Sequence, residues 1–526
     1  VNSFINGTDW KNEVTAIDRM AKLTKEDIVA FANKYLKEDN YAVIYKKQGK
    51  DPNEKKMTKP EITPIITNRD VASPFLVEVQ ESAVKPIEPV FLDYQKDMSQ
   101  LKAKSDIPIL YKQNVANDLF QLIYVFDMGN NHDKALGTAF DYLEYLGTSD
   151  MTPEELKSEF YRLACTFYVS PGNERTYVVL SGLNENMPAA VQLFEKLLAD
   201  AQVNKEAYTN MTSDILKARS DAKLNQGQNF SRLMSFAMYG PKSPATNLLT
   251  EAELTNMNPQ ELVDRIHNQN SYKHRILYYG PSSSKDLLAT INQYHQVPAA
   301  LKDIPAGNEY SYLETPVTKV LVAPYDAKQI YMAQISNLDK KYDPAIEPIR
   351  ALYDEYFGGG MNSIVFQEMR ETRGLAYSAW ASIMPPSYLK YPYVLRTQIA
   401  TQNDKMIDAV TTFNDIINNM PESEAAFKLA KDGLTNRLRT ERIIKGDIIW
   451  SYINAQDLGQ NVDPRIKLYN DIQNMSLKDI VDFQKQWVKG RTYVYCILGD
   501  KKDLELDKLK AVGPIEELTQ EQIFGY

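Results

Sequence analysis

A chain of 526 residues is too long for one hydrophobic core, so its length predicts two to four domains. The formal charge is -9, from 60 Lys and Arg against 69 Asp and Glu without long blocks of one sign, which argues against a nucleic-acid partner. No run approaches the roughly 18 apolar residues that a membrane span requires, so we expect no span.

The cysteines and the first residue indicate which kinds of site and processing to expect. Cys165 and Cys496 lie in stretches typical of buried strand or helix, so the sequence predicts neither a disulfide framework nor a CxxC metal site. The chain begins at Val1 without a signal-peptide pattern, and we interpret it as truncated or processed. The compartment is left open, since bacterial periplasm and cytoplasm both fit.

An internal repeat sets the predicted domain plan. Three segments share one order of residues: an apolar residue, a helix cap, an acid, two apolar residues, and a strand that ends in Gly. The cap and the acid three positions later are typical of a capping box, so each segment predicts a helix that runs into a strand. The segments and their cap pairs are 23–49 with Thr24 and Asp27, 257–280 with Asn258 and Glu261, and 475–499 with Ser476 and Asp479.

A second pair of matching segments lies inside the repeat, at 183–198 and 402–417. The apolar residues recur at intervals of three or four, which places them on one face of a helix. The offset is 219 residues, close to the 218 between the second and third segments above. The matched residues are Met187, Ala190, Val191 and Phe194 in the first segment and Met406, Ala409, Val410 and Phe413 in the second.

These matches divide the chain into four predicted parts. Residues 1–49 are the tail of a preceding unit, and residues 50–95, rich in Pro and Lys, form a linker. Residues 96–300 and 301–526 are two complete units. Strands alternate with helices in each, and strands joined by a short connection are expected to be antiparallel. The predicted class is α+β, with two tandem units in which helices cover an antiparallel sheet.

The stretch FGGGMNSIVFQEMRETRGLAYSAW, residues 357–380, combines a glycine turn, a short helix, another glycine and a strand. Gly358–Gly360 are predicted to end an apolar helix, because a helix end commonly needs a positive φ that other residues adopt at a cost. Asn362 or Ser363 is expected to cap the following helix, and Gly374 to reverse it into the strand.

Arg370 and Tyr377 are the candidate functional residues of this stretch. Arg370 is predicted in the last turn of the short helix and Tyr377 on the strand that follows. A structural role is open for both, with Arg370 as a cation at a helix C-terminus and Tyr377 as a half-buried strand aromatic. Turn geometry explains the glycines, since no strand-GxxxxGK[ST]-helix context makes them a phosphate loop.

The same stretch resembles the signature of the C-terminal units of insulinase/pitrilysin-like zinc peptidases, the inverzincins. That signature is a Gly-rich turn, a small residue, apolar-Phe-x-x-apolar-Arg, and then Gly-Leu-x-Tyr. The resemblance extends to the helix at 421–440 and to the αβ repeat, and so covers essentially the whole chain. It implies that the chain is the C-terminal half of a four-unit zinc metalloendopeptidase, whose two bowl-like halves face each other across a substrate chamber.

The resemblance also assigns roles. In that family the zinc lies in the first unit on an HxxEH helix, with a more distant Glu, and the Glu of the motif is the general base. Arg370 is then expected to hold the substrate backbone, and Tyr377 to donate its hydroxyl to the oxyanion. Residues 1–49 become the tail of a preceding peptidase unit, residues 96–300 a degenerate non-zinc unit, and residues 301–526 the C-terminal peptidase-like unit with the pair.

This chain contains no zinc motif. Its histidines are His132, His267, His274 and His295. They form neither HxxEH nor a pair at i, i+4, so each is interpreted as a surface or structural residue. Where the family carries its zinc helix, the first complete unit has Asp141-x-x-Glu144-Tyr145 without either imidazole, and its stretch at 154–169 lacks the Gly-Leu-x-Tyr turn.

We therefore expect no cofactor in this chain. Its expected partners are peptide substrates and a zinc-containing N-terminal half, on the same or a separate polypeptide, and the chain alone is expected to be inactive. The alternative is a non-catalytic peptide-binding or structural partner subunit of the same fold. An HxxEH motif a few hundred residues upstream of Val1 would favour the enzyme, and its absence the alternative.

Overall fold

The computed structural model describes residues 1–46, 49, 73–82, 85–327 and 329–526. The chain divides into two compact units, Val1–Val84 and Lys85–Tyr526. In the described part of the chain, no helix has the length and apolar character needed to cross a membrane. The described helices of the first unit are α1 (Asn2–Asn6), α2 (Trp10–Val14), α3 (Ala16–Met20), α4 (Lys25–Tyr35) and α5 (Pro74–Glu81).

Two six-stranded sheets organise the unit Lys85–Tyr526. The first contains β1 (Ser99–Lys102), β2 (Pro108–Gln113), β3 (Leu119–Phe126), β4 (Cys165–Pro171), β5 (Thr176–Leu183) and β6 (Arg275–Gly280). The second contains β7 (Lys319–Pro324), β8 (Gln329–Lys341), β9 (Ala376–Met384), β10 (Pro392–Gln402), β11 (Val494–Gly499) and β12 (Ile515–Glu517). The α+β class predicted from the sequence is confirmed, as is the antiparallel pairing of β9 with β10.

The two sheets share one plan. Their orders are β1-β2-β6-β3-β5-β4 and β12-β7-β11-β8-β10-β9. The repeated helix-to-strand segments end in β6 and β11. Each of these strands lies in the interior of its sheet, parallel to one neighbour and antiparallel to the other. They differ in the outermost strand, since β1 is antiparallel to β2 whereas β12 is parallel to β7.

Helices surround both sheets. Those of the first half of the unit are α6 (Tyr94–Asp97), α7 (Leu136–Leu143), α8 (Pro153–Arg162), α9 (Met187–Asp200), α10 (Lys205–Lys223), α11 (Gln226–Tyr239), α12 (Glu251–Asn256), α13 (Gln260–Asn268) and α14 (Ser284–Tyr294). Those of the second half are α15 (Glu347–Phe357), α16 (Ile364–Phe366), a π-helix at Gln367–Thr372, α17 (Met406–Asn418), α18 (Glu424–Thr440), α19 (Asp447–Asp457), α20 (Pro464–Ile472), α21 (Leu477–Trp487), α22 (Leu506–Leu509) and α23 (Gln520–Phe524).

The internal repeat is visible in the packing. All eight matched apolar residues on α9 and α17 are buried, each set in the core beneath its own sheet. The helix-to-strand order predicted for the second and third segments is confirmed as α13 followed by β6 and α21 followed by β11. Capping boxes form at Thr24 with Asp27 and at Ser476 with Asp479.

Two details of the repeat differ from the prediction. No capping box forms at Asn258, because its side-chain oxygen accepts the N–H of Gln260, one residue before Glu261, at 3.1 Å. Residues 41–46, predicted as a strand, have no strand structure, and no strand of the described residues pairs with their backbone.

The predicted linker at 50–95 is described in part. Residues 50–72, 83 and 84 lie outside the described residues. Towards its end, Leu92 and Tyr94 are buried in a cluster with the first sheet, and the Tyr94 hydroxyl lies 2.9 Å from Ser451 Oγ. The boundaries at 49, 95 and 300 stay predictions, although the two sheets lie on either side of residue 300.

Each sheet is covered on one face by helices from its own half of Lys85–Tyr526. The other face is covered by a helix from the other half. Helix α11, from the first half, packs against β7, β8 and β11 through Phe230, Leu233 and Met234. Helix α19, from the second half, covers the opposite sheet through Ile449, Tyr452 and neighbouring apolar residues. The two halves therefore exchange helices, which ties them into one body.

A hydrogen-bonded chain of buried polar groups lies in the first core. His274 Nδ1 lies 2.7 Å from the Tyr272 carbonyl oxygen and therefore carries a hydrogen, which leaves its Nε2 to accept from His295 Nε2 at 2.8 Å. His295 Nδ1 in turn lies 2.7 Å from Glu195 Oε1. Burial and the neighbouring His295 lower the pKa of His274 to about 4, so His274 is neutral near pH 7.

The backbone at the end of α15 packs closely against the backbone of β9 in the second sheet. The three glycines that follow α15 have no positive φ, so that part of the sequence prediction is wrong. A Cβ on Gly358 would instead lie 2.1 Å from the Ala381 carbonyl oxygen, whereas a Cβ on Gly360 would have its nearest neighbour at 3.6 Å. Close approach of backbone to backbone, and not turn conformation, requires glycine at 358.

Replacing Gly358 tests this contact. Gly358→Ala is expected to lower the free energy of unfolding by at least about 1–3 kcal/mol, because strand or helix must shift to admit the methyl group. Gly360→Ala is the matched control and should stay within about 0.5 kcal/mol of the unmodified chain. Urea unfolding followed by circular dichroism measures both, and equal effects of the two substitutions would contradict the packing argument.

The buried histidine predicts a dependence of stability on pH. The folded pKa of His274 is about 4 and its ordinary value is 6.5, so the unfolded chain binds more protons between these values. The contribution of neutral His274 to the free energy of unfolding is complete above about pH 6.5. It is lost as pH falls towards 4, which lowers the free energy of unfolding by up to roughly 3 kcal/mol. Urea midpoints measured across this range should decline less steeply for His274→Gln than for the unmodified chain. His267→Gln, at an exposed imidazole, should keep the original slope, and three equal slopes would reject the assignment.

Candidate functional site

The candidate site is built on the junction between α15 and β9. Asp354, in the last turn of α15, accepts hydrogen bonds from the Ile383 N–H and the Ser382 hydroxyl, both at 2.9 Å. Arg350, one turn earlier, donates to Asp354 Oδ2, the oxygen that also accepts from Ser382, at 2.8 Å. Burial raises the pKa of Asp354 to about 6, and the nearby Arg350 guanidinium opposes that shift. These contacts fix the helix to the far end of the strand that carries Tyr377.

A short helix leads from the glycine turn to that strand. Ser363, one of the two predicted caps, accepts the N–H of Phe366 at 3.4 Å. The chain then widens into a π-helix at Gln367–Thr372, a form that frequently marks functional sites. Met369 within it is fully buried, and Gly374, with φ of +57°, reverses the chain as predicted.

Arg370 and Tyr377 are brought together on the surface of this turn. The Arg370 guanidinium lies 5.1 Å from the centre of the Tyr377 ring and 5.0 Å from that of Phe366, a cation–π arrangement. The Tyr377 side chain is 79% exposed and the Arg370 side chain 40% exposed. Among the described residues the Tyr377 hydroxyl has no hydrogen-bond partner, and the ionic neighbour of Arg370 is Glu371, at 3.7 Å.

Tyr377 occupies an irregular position in its strand. Ala376 pairs with Thr401 and Ser378 pairs with Ala400, so Tyr377 is the extra residue of a β-bulge. Bulges re-aim side chains and are common beside active sites. The structural alternative, a half-buried strand aromatic, does not describe Tyr377. A bulge and a π-helix thus present the pair to solvent.

Two contacts around this turn were not predicted. The Lys405 ammonium donates to the Gly374 carbonyl at 2.8 Å, and the Thr401 hydroxyl donates to the Leu375 carbonyl at 2.6 Å. Both partners lie near the end of β10, on a segment distant in sequence. Phe366, which completes the cation–π contact, could have been found from its i, i+4 spacing to Arg370.

The first half of Lys85–Tyr526 has the same helix-to-strand turn without the pair. Ala164, with φ of +49°, reverses α8 into β4 as Gly374 reverses the π-helix into β9. At the corresponding distances from the turn stand Phe160 and Phe167, whose ring centres are 4.9 Å apart and which pack in the first core. A polar, exposed pair in one half therefore corresponds to an apolar, packed pair in the other.

The residues present do not fit a zinc ion. Among the described residues, no group of three or more His, Cys, Asp or Glu side chains is placed to hold a metal. Two histidines predicted to be isolated, His274 and His295, contact each other, but each uses its ring nitrogens in the buried hydrogen-bonded chain. Asp141 lies in α7, where burial and then Glu144 raise the pKa of its carboxyl.

Comparison with known proteins finds one family model and two relatives that are similar to this chain. Residues 276–434, which include Arg370 and Tyr377, match the model described as the Peptidase M16 inactive domain. A relative from Helicobacter pylori, "Non-peptidase homolog YmxG", is 23% identical over 422 residues, covering 76% of this chain and 93% of its own. An "Uncharacterized zinc protease" of Rickettsia felis is 20% identical over 263 residues, covering 47% of this chain and 60% of its own.

The fold is shared with a solved protease. The periplasmic protease PqqL of Escherichia coli has a TM-score of 0.62 at 13% identity, over 93% of this chain and 52% of PqqL. This chain therefore spans about half the length of PqqL. The resemblance drawn from residues 357–380 is confirmed, since residues 276–434 match the Peptidase M16 inactive domain and the chain shares the fold of PqqL.

Proposed function

We propose that this chain is the C-terminal, non-zinc-binding half of a zinc-dependent metalloendopeptidase, in which it forms one wall of the substrate chamber. The observation that carries the proposal is the exposed pair of Arg370 and Tyr377, held 5.1 Å apart by a bulge and a π-helix. A charged group and a phenol with a free hydroxyl, presented from rigid elements, suit an extended peptide better than a buried structural role.

Arg370 and Tyr377 have different proposed roles, in peptide binding and in stabilisation of the transition state. The Arg370 guanidinium, which has several N–H donors and one distant carboxylate neighbour, is free to hold backbone carbonyls of a bound peptide. The Tyr377 hydroxyl is a donor without a partner among the described residues, so it can turn towards a carbonyl oxygen as negative charge develops there. A preorganised donor of this kind contributes about 2.7–4 kcal/mol to the transition state.

The remaining chemistry would come from a partner. Because the described residues offer no zinc site, the proposed N-terminal half, on the same or a separate polypeptide, supplies the metal and the general base. The length of PqqL, about twice the part matched here, supports a partner half of similar size. Peptides are the proposed substrates.

A second candidate is a non-catalytic, peptide-binding or structural partner subunit of the same fold. Its support is the relative named as a non-peptidase homolog, which matches this chain over 93% of its own length. In its peptide-binding form this candidate also uses the exposed pair to hold peptide, and it differs from the first in that the assembled protein does not cut the peptide. The Tyr377 hydroxyl distinguishes them, because binding alone does not need an oxyanion donor.

Removing that hydroxyl tests the proposal in the intact peptidase. Tyr377→Phe is expected to lower kcat about 10²–10³-fold while zinc content and KM change little, since the lost interaction belongs to the transition state. Tyr168→Phe, on a half-exposed tyrosine of β4, is the control and should leave turnover unchanged. Steady-state assays of the cleavage of an internally quenched fluorescent peptide measure kcat. Unchanged turnover in Tyr377→Phe, or loss of zinc with it, would count against the assigned role.

Metal analysis of residues 1–526 alone gives a separate test. We expect less than stoichiometric zinc after dialysis against micromolar zinc, and no peptide hydrolysis, because the described residues provide no ligand set. Inductively coupled plasma mass spectrometry gives the ratio of zinc to chain. One zinc per chain would show that the metal site had been assigned to the wrong half.

A further inference from the structure

A groove runs along α11, between that helix, the 3₁₀ helix Pro244–Thr246 and strand β10. Its cavity volume is about 620 Å³, and two arginines line it, Arg232 from α11 and Arg396 from β10. Among the described residues of its lining there is no Asp or Glu, and the neutral members include Asn173 and Tyr239. We call this surface the cationic groove, since its lining carries two positive charges and no negative charge to offset them.

Arg396 has no counter-charge among the described residues. Its guanidinium donates to the neutral Gln398 Oε1 at 2.8 Å and lies 5.1 Å from the centre of the Trp380 ring. Its Nε is buried without a hydrogen-bond partner, and burial lowers the pKa of the guanidinium. Native structures rarely leave a buried charged donor unpaired, because the lost hydration is costly. Arg396 therefore has both charge and donors to offer an anion in the groove.

Arg232 also lacks an acidic partner in the part of the chain that the structure describes. Its Nη1 donates to the Ala245 carbonyl oxygen, which is a neutral acceptor. The carboxylate next to the lining is that of Glu174, which accepts from the Lys390 ammonium at 3.1 Å and from the Tyr391 hydroxyl at 2.9 Å. Glu174 is therefore already paired, and it does not neutralise either arginine of the groove.

The cationic groove adjoins the sheet face that presents Tyr377. Tyr377 and Ser378 are both exposed, whereas Ala379 is buried in the core on the other side of β9. Side chains alternate along a strand, so Trp380 shares its face with Ser378. The Arg396 guanidinium lies against Trp380. Since Trp380 is three residues from Tyr377, the guanidinium lies roughly 10 Å along the strand from the proposed oxyanion donor.

We propose that the cationic groove binds an acidic side chain of the peptide substrate, and that Arg232 and Arg396 thereby select where the peptide is cut. A guanidinium holds a carboxylate through charge-assisted, paired hydrogen bonds, which an amide side chain cannot match. The inference rests on the proposed function, because Tyr377 marks the place of the scissile carbonyl. An extended peptide advances about 3.3 Å per residue, so the Glu or Asp lies about three to five residues from the scissile bond.

Peptide binding to residues 1–526 tests the groove without catalysis. Two short peptides are compared, acetylated and amidated so that their ends are uncharged, with Glu in one and Gln in the other at a single central position. Fluorescence anisotropy at low salt should give a Kd at least about 10-fold lower for the Glu peptide, and added salt should narrow the difference. Equal affinities, or no binding of either peptide, would overturn the inference.

Substitutions in the groove assign the preference to its arginines. Arg396→Gln and Arg232→Gln should each remove most of the difference between the two peptides. Arg442→Gln is the matched control, because it removes the same charge from an exposed arginine that bonds to backbone carbonyls outside the groove. Thermal unfolding shows whether each variant is folded, and Arg232→Gln carries the test if Arg396→Gln is not. An undiminished Glu preference in folded Arg232→Gln, or an equal loss in Arg442→Gln, would contradict the assignment.

Cleavage by the intact peptidase separates this inference from the proposed function. In a set of peptides in which one Glu is moved along a neutral sequence, mass spectrometry of the products should place the cut about three to five residues from the Glu. Absence of cleavage in every peptide, with the Glu preference kept in residues 1–526, would reject the peptidase and retain the carboxylate site. Cleavage at positions that do not follow the Glu would retain the peptidase and reject this inference.

Discussion

The exchange of helices between the two halves is the constraint on which the structure depends. A sheet with helices on one face leaves an apolar face open, and here α11 and α19 each close the open face of the opposite sheet. Burial on both faces makes the strands rigid and joins the halves without a disulfide, since both cysteines are free. The unit Lys85–Tyr526 is therefore one body, and its surface irregularities stand out against a fixed framework.

The candidate site uses that framework. The strand β9 is held at one end by Asp354 and by the close approach of Gly358 to Ala381, so its other end can carry a bulge and still pair with β10. The bulge exposes Tyr377, and the π-helix places Arg370 over its ring. The bulge and the π-helix each make local backbone hydrogen bonding less regular, and the surrounding structure must offset this cost. Both features are common at functional sites.

Much of this was predictable from the sequence, because the apolar spacing on α9 and α17 and the caps at Thr24 and Ser476 are local signals. The exchange of α11 and α19 was not, since their apolar faces fit a distant sheet as well as a near one. The contact of His274 with His295 and Glu195 depends on tertiary pairing of distant segments. The bulge at Tyr377 arises from strand register, which single-residue patterns do not specify.

We propose that Tyr377 reaches the reacting carbonyl of a peptide held in the chamber between the two halves. A structure of the intact protein with a bound, uncleaved peptide measures this directly. We expect the Tyr377 hydroxyl within about 2.6–3.2 Å of the scissile carbonyl oxygen, with the Arg370 guanidinium on a neighbouring backbone carbonyl. A bound peptide whose scissile carbonyl lies beyond hydrogen-bond reach of Tyr377 in the closed protein, or a Tyr377 covered by the partner half, would contradict it.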